Sequence, residues 1–505
     1  MERKWWTLVL ISTATFMLLL DITVVNVALP DIQRELHASL SSLQWVVDAY
    51  ALTLAAFLLT AGSLGDRLGR RRVFTIGFAI FTFASFLCGI AGDPTLLNLA
   101  RGLQGVGGAA MFATSLALIG QEFHGKDRAT AFGVWGATVG GAVAIGPLVG
   151  GVITEHLGWE WIFFVNIPIG LVAIFLTERK IANVTARDPE PIDFPGLFTF
   201  CTALFLLIFG LIRGNPEGWG SPLILACLIG AAVLLATFVA IESRSNHPML
   251  DLTLFRKPAF NGVSAVAFSL SAGMFAMFLY LTIYMQGVLD FSPLEAGLRF
   301  LPLTVLSFIA SPIAGSLSNR IPIRFLLGVG LALVGIGLLL MHGLSPDSKW
   351  TALLAGFLVA GVGIGITNPG IGQAAIAVVP VEKSGMGSGI NTTFRQVGIA
   401  TGVAALGSLF ESRINSKLGE LLPHAQAGLG ELVASGGSRA AAAAVGPAER
   451  GPVAHAADTA FVSGLNEILL IAGIVSLVGA ALGFLLVRSR DFVQPTNGPV
   501  EPGAG

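Results

Sequence analysis

The sequence predicts an all-α membrane protein of two six-helix bundles with two additional helices between them, fourteen transmembrane helices in all. Three observations carry this. The 505 residues are 54% hydrophobic and 12% charged, against about 25% charged in an ordinary soluble domain. Apolar runs of roughly 20 residues, the length that crosses a bilayer as a helix, recur along the chain. Finally, Gly62-Ser63-Leu64-Gly65-Asp66-Arg67-Leu68-Gly69-Arg70-Arg71-Arg72, wedged between two such runs, returns between two others as Gly315-Ser316-Leu317-Ser318-Asn319-Arg320-Ile321-Pro322-Ile323-Arg324. Such a return points to an internally duplicated membrane domain.

Taken in order, spans are expected near 5–29, 43–64, 73–92, 95–119, 129–153 and 159–177, forming an N-terminal bundle within residues 1–180. A polar linker containing Arg187, Asp188, Pro189, Glu190 and Pro191 leads to two extra spans, 196–213 and 221–241, within residues 181–258. Six more follow near 259–286, 295–318, 323–343, 350–379, 386–410 and 463–487, in a C-terminal bundle over 259–490. Residues 411–462 read as a long outer loop with short helices at its ends and a mobile middle, and 491–505 as a disordered tail. With the N-terminus inside, Lys and Arg then gather on the inner segments, as the positive-inside rule requires. Removing any one helix would scramble that alternation, which places both termini in the cytoplasm.

The composition also excludes. A net charge of -1 gives nucleic acid nothing to bind, and the 63 glycines suit helices packed closely in lipid. Cys88, Cys201 and Cys227 lie in apolar runs without metal-ligand or redox spacing, and the seven histidines sit in loops or at run ends, so no metal centre is expected. No phosphate-binding loop of the G-x-x-x-x-G-K-[ST] form occurs, which removes direct drive by ATP, and no Ser, His and Asp arrangement suggests a hydrolase. The chain is therefore not expected to be an enzyme or to need a cofactor.

Charge inside a membrane helix is costly and marks candidate function. Asp21 lies about eight residues, roughly 12 Å, from the outer end of its span, and Arg101 about seven residues, roughly 10 Å, down another, so the two share a depth. Asp48 lies nearer the outer surface, beside Trp45. Arg395 is also inside a span. An arginine neighbour favours the charged form of a carboxylate and desolvation the neutral form, so a helix movement that exchanges the two environments turns proton binding into conformational change. A permanent bridge that fixes packing is the other reading of Asp21 and Arg101. Gly140, Gly141, Gly146, Pro147, Gly150 and Gly151 crowd one span and predict a bent, tightly packed helix. Met274, Met277, Phe278, Leu281 and Met285 recur at helical spacing, with Tyr280 and Tyr284 close by. That face reads either as an adaptable ligand wall or as ordinary core.

These segments resemble the major facilitator superfamily, in particular its fourteen-helix drug:proton antiporter branch of the EmrB/QacA type. The resemblance rests on Leu20-Asp21-Ile22-Thr23-Val24-Val25-Asn26-Val27-Ala28-Leu29-Pro30, on Gly62 to Arg72, on Leu99-Ala100-Arg101-Gly102-Leu103-Gln104-Gly105, on Gly146-Pro147-Leu148-Val149-Gly150-Gly151 and on Trp159 to Gly170. In the second half it rests on Ser292-Pro293 through Gly297, Pro302, and Asn391 through Gly398. Ala142, where that branch often has glycine, and Asp290 depart from the pattern.

The resemblance implies a major facilitator fold and alternating access. It implies proton uptake at Asp21 with Arg101 as partner, and a conformational latch of Gly62, Gly65, Asp66, Arg67, Gly69 and Arg70; Asp48, from its position alone, is a second candidate acid. Gly146, Pro147, Gly150 and Gly151 would form the antiporter helix, and Met277, Tyr280, Tyr284 and Gln104 are the candidates for the substrate cavity. The expected function is proton-coupled export of amphipathic drugs or small metabolites, with a dedicated metabolite exporter or uniporter of the same fold as the alternative. A non-transporting sensor would need a signalling domain, for which the inner loops are too short. The expected partners are a small-molecule substrate, protons and the lipid bilayer, with the proton gradient as energy source. The chain is expected to be a monomer in a bacterial cytoplasmic membrane.

Overall fold

Helix starts are written in local chemistry. Asp93 caps one helix by accepting from the N–H groups of Thr95 and Leu96, with Pro94 behind it where no donor is needed. Asp193 does the same ahead of Pro195, and Ser292 with Glu295 closes a capping box around Pro293. Gly69, at a φ of 99°, turns the chain sharply at a left-handed angle that side chains resist.

The computed structural model describes residues 2–38, 40–182, 193–245, 248–318, 320–380, 383–422, 428–443, 445–446 and 449–492. The first half contains α1 (Arg3–Glu35), α2 (Leu40–Leu68), α3 (Arg70–Gly89), α4 (Pro94–Glu122), α5 (Gly125–Leu157), α6 (Trp161–Phe164) and α7 (Asn166–Lys180). The pair α8 (Phe194–Glu217) and α9 (Pro222–Glu242) follows. The second half contains α10 (Pro258–Leu270), α11 (Ala276–Ile283), α12 (Pro293–Arg299), α13 (Leu301–Leu317), α14 (Ile323–Leu340), α15 (Leu354–Ala377), α16 (Ser384–Leu421), α17 (Leu429–Ala434), α18 (Ser438–Ala443) and α19 (Arg450–Leu486). Among the described residues there is no strand.

In the first bundle α1 lies on α5, and α4 on α2 and α3. In the second, α14 lies on α15 and α19, and α13 on α15. The halves meet along α2 with α16 and along α5 with α13, and α8 packs on α9 and against α2 and α16. Small residues make these meetings possible. A Cβ on Gly133 of α5 would lie 2.8 Å from the Cα of Pro312 on α13, and one on Gly389 of α16 would lie 2.9 Å from the carbonyl oxygen of Leu58 on α2.

Twelve described segments are long and apolar enough, by length and composition, to cross a membrane. The other two expected spans fall on α5, whose apolar part is Leu148–Leu157, and on the 17-residue α13. Both lie at the meeting of the bundles, where glycine and serine replace large apolar side chains.

The structure differs from expectation in three places. The ends of 411–462 are continuations of α16 and α19, and α17 and α18 lie between them. The apolar residues Phe410, Ile414, Leu418, Val453, Ala457 and Phe461 extend the buried stripe of both long helices past the expected membrane boundary and bind them to each other. The span near 259–286 is broken by π turns at Ser271–Phe275 and Tyr284–Val288, which periodicity alone does not reveal. The expected tail begins ordered, with Asp491 Oδ2 accepting from the N–H of Ala259 at 3.3 Å. The linker at 187–191 and residues from 493 onward lie outside the described residues.

Candidate functional site

The site in the first bundle depends on missing side chains. A Cβ on Gly105 would collide with Thr53 and the backbone of Tyr50, and one on Gly108 would lie 2.9 Å from Leu18. Glycine at both positions lets α4 settle against α2 and α1, which brings three polar residues together. Asp21 is 5% exposed, Arg101 1% and Gln104 0%. Arg101 donates from Nη1 to Asp21 Oδ2 and, at 2.6 Å, to Gln104 Oε1. Gln104 Nε2 donates to Asp21 Oδ1 at 3.1 Å and to Ser85 Oγ at 2.8 Å. Arg101 Nε is held by the carbonyl of Val46 at 2.9 Å, and its guanidinium lies 4.4 Å from the centre of the Tyr50 ring.

Both charges are thus compensated, and each carboxylate oxygen of Asp21 has its own donor. Separating such a buried pair without replacing a partner costs on the order of 3–5 kcal/mol. A movement of α1 against α4 that separated the pair would carry that cost. Gln104, expected on a substrate cavity, is part of this network in the structure. The signal was available, since Gln104 is three residues after Arg101 and so on the same helix face. Ser85, Tyr50 and the Val46 carbonyl carried no comparable signal. Asp48 of α2 feels the charge of Arg213 on α8, which pairs with Glu217 at 2.6 Å.

The second assembly joins the two bundles. Asp66, near the end of α2, accepts from the N–H of Gly385 at 2.9 Å and of Met386 at 2.8 Å, and from Arg70 at 3.1 and 3.0 Å. The first N–H groups of a helix have no partner inside it, and Lys383 at the N-cap of α16 supplies none. Asp66 is therefore the cap of α16, delivered from the other bundle and favoured by the positive end of that helix. Arg70 also reaches the Ala117 carbonyl and Gln121 at 3.4 Å. Arg67 donates to the Pro248 carbonyl at 3.3 Å. A Cβ on Gly62 would collide with the Gly385 carbonyl, and one on Gly65 would lie 2.9 Å from Thr114.

On α5, Gly146 lies against Thr23 of α1, and a Cβ on Gly150 would be 3.1 Å from the Cα of Val24. Gly151 faces open space, and α5 runs unbroken through Pro147. The Met and Tyr face belongs to the core of the second bundle: Met274, Met277, Leu281, Tyr284 and Met285 are each 0% exposed. Tyr280 donates to the Val403 carbonyl at 2.7 Å and Tyr284 to that of Ser348 at 3.5 Å. Met277, Tyr280 and Tyr284, expected on a substrate cavity, are thus packed inside the second bundle in this structure. Periodicity could not choose between the two readings, because all sides of a membrane helix are apolar.

Two bundles that meet through small residues and a capping carboxylate, with a compensated charge pair inside one of them, define a class: a multi-pass membrane transporter. The model of the Major Facilitator Superfamily matches residues 11–403. The chain is 34% identical over 99% of its length to the tetracenomycin C resistance and export protein of Streptomyces glaucescens, covering 94% of that protein. It is 35% identical over 92% of its length to the multidrug resistance protein Stp of Mycobacterium tuberculosis (strain CDC 1551 / Oshkosh), covering 89% of it. Among solved structures, the proton:xylose symporter XylE superimposes with a TM-score of 0.65 at 13% identity, covering 96% of each chain, which shows the shared fold. This chain belongs to the Major Facilitator Superfamily. It is a transporter and not an enzyme.

Proposed function

We propose that the chain is a proton-coupled secondary exporter of amphipathic drugs or small metabolites that works by alternating access. In this reading all fourteen expected helices cross the cytoplasmic membrane of a bacterium. The termini and the Asp66 clasp face the cytoplasm, α8 and α9 are peripheral additions, and the proton gradient supplies the energy to a monomer. The observation that carries the proposal is the buried Asp21–Arg101–Gln104 network, because coupling needs a group that changes charge where the change alters packing. The clasp supports it, since Asp66 caps α16 only while the bundles are closed at that end.

Flux in proteoliposomes tests it. Wild-type protein should carry substrate faster with a pH gradient than without, and D21N should carry none against a gradient. Equal rates with and without the gradient would leave a uniporter. The second reading, an exporter dedicated to one metabolite, is favoured by the relative named for tetracenomycin C alone. It predicts that one member of a chemically mixed panel is carried and the rest are not.

A further inference from the structure

The fold treats its two intramembrane arginines differently. Arg101 is neutralised by Asp21. Arg395, on α16, is 9% exposed, donates from Nη2 to Asn368 Oδ1 at 3.0 Å and lies 5.7 Å from the centre of the Phe275 ring. Among the described residues no carboxylate pairs with it. An uncompensated guanidinium at membrane depth is expensive to keep, so a role in packing alone explains it poorly.

Its surroundings are rich in unused donors. A guanidinium only donates, so the oxygen of Asn368 must face Arg395 and its amide nitrogen must point away. That nitrogen is buried and has no acceptor among the described residues. Asn368 lines a cavity between the bundles with Ser307, Phe275 and Phe278 from its own half and Val139 and Gly140 from the other. Ser307 Oγ is buried with no partner among the described residues, as is the amide nitrogen of Asn391, which precedes Arg395 by one helical turn on the same face. Phe275 ends the π turn that begins at Ser271, and π turns collect at functional sites.

We infer that Arg395 and Asn368, with Asn391 and Ser307 beside them, form the recognition group for the transported ligand, and that this ligand is an anion on an apolar ring-bearing body: a carboxylate, phenolate or enolate. The inference rests on the transport reading and names its substrate class. Arg395 supplies the charge that the anion lacks in lipid, the amides and hydroxyl supply donors, and Phe275 and Phe278 supply the apolar wall. A lipophilic cation would meet an uncompensated like charge. The cavity measures about 20 Å³ in this structure, room for no more than a water molecule, so the ligand enters only when the bundles part.

The test is a matched pair of probes, a carboxylated polyaromatic dye and its methyl ester, titrated by fluorescence into the purified full chain. Wild type should bind the acid about tenfold or more tighter than the ester, as a charge-assisted hydrogen bond requires. R395Q should lose the preference and bind acid and ester alike, and R395K should keep part of it. N368D leaves Arg395 in place but neutralises it, and should lose the acid preference, which covers the case of an R395Q protein that does not fold. Equal binding of acid and ester by wild type, tighter binding of ethidium than of the acid, or an acid preference that survives both R395Q and N368D would overturn the inference. Proteoliposome uptake separates its failure from that of the transport reading. Carriage of ester or ethidium without acid preference removes the anion site alone. Acid binding that depends on Arg395, with no probe carried, removes transport alone.

Discussion

Asp21 and Arg101 differ from a surface ion pair in that neither can turn to water when the other leaves. Each is at most 5% exposed, so removing one strands the other. D21N should therefore abolish proton movement driven by substrate, read with a pH dye in proteoliposomes, while D21E keeps part of the activity. R101K should rescue incompletely, because a point charge does not reproduce the guanidinium fork that reaches Asp21, Gln104 and the Val46 carbonyl together. Gln104 has a positioning role. Q104A leaves Asp21 Oδ1 and Ser85 without their donor, and should cost about 1–3 kcal/mol, read as a lower midpoint in thermal unfolding. Unchanged coupling in D21N would make the network structural and Asp48 the next acid to test.

At the scale of the helix, the clasp is a capping interaction that happens to span two bundles. D66N keeps the shape of the side chain but removes its charge from the start of α16 and from Arg70. The contact should weaken by about 1–3 kcal/mol, with transport impaired and substrate affinity little changed. Loss of binding with normal cycling would place the site elsewhere. The pair α8 and α9 carries a different device. Glu242 Oε1 and Asp193 Oδ2 are buried near Gly196, with no donor to either among the described residues, while Glu242 Oε2 accepts from Leu250 at 3.2 Å. E242Q turns one of these acids into an amide whose N–H can donate to Asp193, and should melt at or above the wild-type temperature. A large fall would show that the acid is needed as such.

The whole molecule is two helical bundles that meet through small residues, and its topology can be measured directly. Cys88, Cys201 and Cys227 are all buried, so the background for an impermeant thiol reagent in intact cells is low. With the termini inside, S435C between α17 and α18 should be labelled and E2C should not; the reverse pattern would sink the fourteen-helix arrangement. G62A places a methyl group against the Gly385 backbone and cannot close the α2–α16 contact without displacing it. Its cycle should stall with that end open, seen as faster labelling of M386C in the G62A background than in the wild-type background.

Much of this was legible in the chain because the bilayer imposes it: without water, every backbone group must be satisfied within a helix, so an apolar run of sufficient length announces a span. The shared depth of Asp21 and Arg101 follows from counting residues along two such runs, and the loop motif announces itself by charge where charge is otherwise absent. What the sequence could not determine was partnership across the fold. Nothing local says that Asp66 caps a helix more than 300 residues away, that Asp48 feels the charge of Arg213, or that Tyr280 and Tyr284 are buried against the Val403 and Ser348 carbonyls. The same holds for Arg395: its place inside a span could be read, but that it lacks an acid and sits among unused amide donors could not. In water the hydrophobic pattern tells a helix which face is inner. In a membrane both faces are apolar, and only packing, decided by where glycine lets backbones touch, chooses which polar groups meet.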